Sequence, residues 1–74
     1  MAHDFDAPAE VIWHRDEEVP PQSWADAVAF ASLREALDAI VNGTPRTGHP
    51  WLRSGRQIFP PHDVEDVWRE DRML

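Results

Sequence analysis

The chain has 74 residues, 14 of them acidic against 7 basic, a net charge of −7 and no cysteine. That length holds one hydrophobic core and excludes a second domain, while the lack of cysteine excludes a disulfide framework, a thiolate nucleophile and a cysteine-held zinc or iron–sulfur centre. The negative field repels phosphate backbones and anionic lipid, which speaks against direct nucleic-acid and membrane binding.

Crude accounting of burial against chain entropy comes out near zero at this size, so the fold must use its aromatics well or gain stability by association. Four tryptophans and three phenylalanines supply the means, because each large ring can bury roughly 150 to 250 Å². All seven bases are arginine, which fits a GC-rich coding bias and also suits planar pairing with carboxylates. The N-terminus carries Asp4 and Asp6 and no basic apolar run, and no stretch approaches the ~20 apolar residues of a membrane span. The expectation is a soluble, cytoplasmic domain.

Residues 1–8, ending at Pro8, read as a loosely ordered leader from which Phe5 can tuck down, and residues 9–72 as the single domain. Glu10 to Arg15 is β-branched and aromatic and is stopped by Asp16-Glu17-Glu18 and Pro20-Pro21, so it predicts a first strand. The following segment has two parses. Ser23-Trp24-Ala25-Asp26 could open one long helix, since alanines at 25, 27, 29 and 31 favour it. Ser32-Leu33-Arg34-Glu35 makes the better capping box, because Leu33, Ala36, Leu37, Ile40 and Val41 then fall on one face of a helix over 33–42. Val28 and Phe30, alternating with alanines, predict a strand running into that helix, and this second parse is preferred. Asn42-Gly43 signals the helix end, with Gly43 expected in the left-handed conformation.

Gly43 to Pro50 reads as a loop, followed by a hairpin in which residues 51–53 and 57–59 flank Ser54-Gly55-Arg56. Pro60-Pro61 closes the sheet and starts a helix over 62–71 whose inward stripe is Val64, Val67 and Trp68. Asp63, Glu65 and Asp66 near its start and Arg69 and Arg72 near its end suit the helix dipole. The predicted fold is α+β: a small ββαββα domain of antiparallel strands with two helices packed on one face. Its predicted core is Val28, Phe30, Leu33, Leu37, Ile40, Val41, Ile58, Val64, Val67 and Trp68.

Four constellations invite a chemical reading. His3, His14, His49 and His62 raise a metal site, yet none stands at a ligand spacing beyond the single pair His62 and Asp66. Solvated histidines are the simpler account, and neither a metal nor another cofactor is expected. Paired carboxylates at 16–18, 63–66 and 70–71 could do acid–base work if burial split their pKa values. They fall in a loop and on a polar helix face, and a chain this short has little room for a substrate cleft besides its core. No GxSxG, Walker-type or GxGxxG segment is present, so no catalytic residue is expected.

Trp13-His14-Arg15 and Trp51-Leu52-Arg53 each put a ring and a guanidinium on one face of a strand. On a basic protein that would suggest base stacking; here the charge opposes it, and the choice lies between an intramolecular cation–π pair and a protein contact. The acidic clusters could likewise be a solubilising surface or a negative stripe offered to a basic groove. The leading expectation is a non-catalytic protein-interaction module. Its candidate partner-binding residues are Asp16, Glu17, Glu18, Trp51, Arg53, Arg56, Asp63, Glu65, Asp66 and Glu70. The alternatives are an inhibitor of phage or antitoxin type that mimics nucleic-acid charge to block a basic groove, and a metal-responsive domain. A protein partner with a basic surface and weak homodimerisation complete the expectation.

Overall fold

The computed structural model describes residues 3–43 and 46–73. Six elements follow one another: β1 (Ala9–His14), β2 (Val28–Phe30), α1 (Leu33–Asn42), β3 (His49–Ser54), β4 (Gln57–Phe59) and α2 (Pro61–Met73). The strands form one antiparallel sheet in the order β2-β1-β3-β4, with β1 and β3 at its centre. This is the ββαββα order of an α+β domain, and strand then helix is the correct parse of the alanine-rich segment.

Register settles which side chains share a face. Val28, Val11, Leu52 and Phe59 stand opposite one another across the four strands, and directly opposed residues point to the same side of a sheet. On that inner side, Val11, Leu52 and Phe59 join Phe5, Leu33, Ala36, Leu37, Val64 and Val67 in the core. Helix α1 packs over β1 and β2, α2 over β3 and β4, and the helices touch each other.

The start of α1 shows why the sequence is helical there. A helix leaves its first four amides without internal partners. Here Leu33 N–H donates to the Ala7 carbonyl at 2.7 Å, Arg34 N–H to the Phe5 carbonyl at 3.0 Å and Glu35 N–H to the Ser32 hydroxyl at 3.1 Å. Ala36 N–H then makes the first bond of the helix itself, to the Ser32 carbonyl at 3.1 Å. The segment before Pro8 therefore serves as the cap of α1, and Phe5, only 4% exposed, anchors it in the core. Arg34 ties the same corner to α2 by ion pairs of 3.0 Å to both Asp6 and Asp71. Those pairs, led by the hydrogen bond to Asp71, hold the guanidinium pKa above its ordinary value.

Three expectations need correction. Val28, Val41 and Ile58, assigned to the core, are 43%, 41% and 43% exposed: β2 and β4 are the two sheet edges, and Val41 lies in the last turn of α1. Ala9, Val11, Ala36, Leu52 and Phe59 are buried in their place, while Ile40, Phe30 and Trp68 pack against the cluster from its margin. Gly43 is extended, at φ −82°, rather than left-handed. What requires glycine there is space, because a Cβ would stand 2.1 Å from the Ala39 carbonyl oxygen. Positive φ occurs instead at two later glycines, Gly48 at 102° and Gly55 at 61°, the latter in the β3–β4 hairpin, where Ser54 pairs with Gln57 across a two-residue turn. A positive φ at the first central position suits the strand twist of such tight hairpins. The loop expected over 43–50 includes Thr44 and Pro45, which lie outside the described residues, and gives way to β3 at His49.

Candidate functional site

The outer side of the sheet carries Glu10, Ile12 and His14 of β1 opposite Arg53, Trp51 and His49 of β3. No helix covers it. The segment after β1 folds across it instead, pinned at Asp16: the Asp16 carboxylate accepts from the Glu18 and Val19 amides at 2.9 and 3.1 Å, and its backbone carbonyl accepts from the Trp51 indole N–H at 2.8 Å. Those two backbone donors hold the Asp16 carboxyl below its ordinary pKa of 3.8. Trp51 is 3% exposed in consequence, so this ring holds a loop down and offers little area to a partner.

Further along the same side, the Arg53 guanidinium lies 4.7 Å from the centre of the Trp24 ring and donates to the Glu10 carboxylate through Nε at 3.0 Å and through Nη2. The ring that stacks on Arg53 thus comes from the loop, not from Trp51 two residues away. Trp13 lies on the inner side, since its opposite residue is Pro50 and its face is that of Val11. The two Trp-x-Arg words therefore occupy opposite sides of the sheet.

The acidic candidates do not converge either. Glu17 reaches His49 at 3.8 Å beside the outer loop, whereas Asp63, Glu65, Asp66 and Glu70 ride on α2 on the inner side. Glu65 and Asp66 share Arg69 at 2.7 and 3.8 Å, and Asp63 has His62 at 3.7 Å. Glu70 Oε2 sits 3.3 Å from His3 Nε2 without the alignment of a hydrogen bond. Glu18 and Arg56 are exposed. No group of three His, Asp or Glu among the described residues is placed to hold a metal ion, and no helix is long and apolar enough to cross a membrane.

One feature that the sequence reading did not single out is a cleft of about 360 Å³ beneath the C-terminal half of α1. Val11 and Trp13 of β1 and Val28 and Phe30 of β2 form its sheet wall, Ile40 its helix wall, and Arg46 is the one charged residue on its lining among the described residues. Its position follows from the uneven strand lengths. Strand β2 pairs only with Ala9, Glu10 and Val11, because the chain before it turns at Trp24–Ala27, where Ala27 N–H bonds the Trp24 carbonyl, and Trp24 goes to the outer side. Ile12, Trp13 and His14 pair with β3 on one flank, and no described strand pairs with them on the other. The available signal was the exposed-edge character of a three-residue strand, which pairing alone reveals.

Comparison with protein-family models, with curated proteins and with solved structures finds no match for this chain. The cleft and the strand edge beside it are accordingly read from their own geometry.

Proposed function

We propose that this chain is a non-catalytic protein-interaction module that engages its partner across the β2 edge and the cleft beside it. The observation that carries the reading is the juxtaposition of an apolar cleft, walled by Trp13, Phe30 and Ile40, with an exposed Val28 on a sheet edge. Large apolar side chains left accessible next to unpaired strand backbone are what association surfaces use, and tryptophan and arginine are the types that dominate binding energy. Among the described residues the cleft brings together no pair of titratable side chains of the kind that proton transfer requires.

The net charge of −7 serves a different purpose in this reading. It steers encounter with a partner that carries a basic surface around its docking segment, and so acts on association rate more than on final affinity. We place the module in the cytoplasm, a reducing compartment that a fold without cysteine tolerates.

The test is retention of proteins from an extract of the source organism on the immobilised chain and on two variants. Val28→Glu should abolish retention of whatever the wild type holds, and Glu65→Gln/Asp66→Asn should retain it with slower association at low salt. Retention that survives Val28→Glu and disappears with the α2 variant would overturn the reading in favour of an acidic charge mimic.

A further inference from the structure

We infer that the cleft receives an extended peptide segment of the partner, which continues the β2 lane along Ile12–His14, buries one apolar side chain beside Trp13 and places a carboxylate on Arg46. This rests on the module reading above and names its ligand chemistry.

Three observations argue for a strand rather than a helix or a small molecule. First, the backbone of Ile12, Trp13 and His14 is already extended and held by β3 on one flank, without a described strand on the other. Successive residues of a strand direct their backbone groups to opposite flanks, so of these three it is Trp13 that faces the open lane, since Ile12 and His14 are directed to Trp51 and His49 of β3. An added strand pairs with that residue. Second, β2 begins at Val28, in register with Val11, and Trp13 is the next inward-facing residue of β1. A segment added there projects alternate side chains into the cleft at the spacing set by the sheet, so one apolar residue meets Trp13, Val28 and Ile40. A volume of about 360 Å³ suits one or two such side chains.

Third, the charge at this place is opposite to that of the chain as a whole. Among the described residues Arg46 is the only charged one lining the cleft, on a protein whose net charge is −7, and its exposed guanidinium belongs to none of their ion pairs. A planar guanidinium at the mouth of an apolar slot selects a carboxylate, either an Asp or Glu side chain or a chain terminus. The segment so defined has an apolar residue with an acid one to three positions away.

The test is panning of the immobilised full chain against a display library of random linear decapeptides with free C-termini, followed by titration of the synthetic winner. The expected winners carry an apolar residue followed closely by Asp, Glu or the terminus. Arg46→Glu should weaken the winner at least tenfold and should bind tightly again when the acid of the peptide is replaced by lysine. Val28→Glu should weaken both peptides alike; the two variants report separately, and Arg46, being exposed, can change without disturbing the core.

Enrichment of basic peptides whose binding ignores Arg46→Glu and is lost with Glu65→Lys would overturn the inference while leaving a binding module. Self-association of the chain that is abolished by Val28→Glu, with no peptide enriched over a control protein, would overturn it in favour of a second copy as occupant. No enrichment and no self-association would also overturn it. Retention of an extract protein in that case would show that the module reading stands and only its ligand was misassigned.

Discussion

The two edges of the sheet look alike in sequence and differ in what surrounds them. Both are three-residue strands, Val28-Ala29-Phe30 and Gln57-Ile58-Phe59, and each exposes one branched aliphatic residue to the same degree, 43%. At β4 the chain runs on through Pro60 into α2, which begins at Pro61 and packs over β3 and β4. Proline beside a strand removes a donor and discourages further pairing. The central strand next to β4 is guarded too, since its start, His49-Pro50, contains a proline. At β2 no proline of the described residues plays that part: Val28 sits over a cleft, and Trp13 of the neighbouring β1 directs its backbone to the flank that no described strand pairs. An exposed aliphatic residue therefore has no single meaning; its neighbourhood decides whether it is a tolerated end or a docking place.

The comparison can be broken from the inside outward. The largest effect is expected at the floor that both edges share. Leu37 is fully buried, and Leu37→Ala should cost about 2 to 5 kcal/mol, enough to lower the urea midpoint sharply and to release both edges together. A variant that lost binding yet kept its midpoint would show that the core does not support the cleft. Next comes the cap of α1, which packs over the β2 side. Ser32→Ala removes the acceptor for the Glu35 amide and should cost about 1 kcal/mol, with hydrogen exchange accelerating in α1 and β2 before β4. Equal acceleration at both edges would contradict the division of labour between the helices.

Val28→Glu and Ile58→Glu sharpen the comparison most, because the two sites match in exposure. Each should change stability by no more than about 0.5 kcal/mol, as surface substitutions generally do. Only the first should abolish partner binding. The smallest effect concerns the outer loop. Asp16 has a folded-state pKa below its ordinary value, so the folded chain binds that proton less readily than the unfolded one does. Its stabilising contribution is thus complete above the ordinary carboxylate range and is lost as the pH falls through the depressed value. The thermal midpoints of the wild type and Asp16→Ala should differ by a small constant amount well above the ordinary value of 3.8 and converge as the pH falls through the depressed one.

How much of this was legible depends on whether the cause was local. The helix over 33–42 was, because Ser32 and the apolar stripe are local signals and the observed α1 has those bounds. The second strand, the hairpin at Gly55 and the final helix were legible for the same reason, with α2 extending to Met73 at its far end. Pairing order was not local. Nothing within Val28-Ala29-Phe30 says that it forms an edge, so Val28 was assigned to the core and the cleft below it went unread. Trp51 was equally opaque: its indole partner is the carbonyl of Asp16, 35 positions away, and only the fold reveals that a loop lies over it. Phe5 shows the converse case, a lone aromatic in a polar leader whose place in the core depends on the unpaired amides of a helix some 28 residues downstream, counted from Phe5 to Leu33.

The central claim is that association takes place at the β2 edge, and hydrogen exchange of the full chain with and without its retained partner tests it most directly. The account predicts new protection at the amides of Trp13 and Val28–Phe30, with little change on α2. Protection concentrated on residues 62–70 and on the 16–18 loop, leaving β1 and β2 as they were, would contradict it.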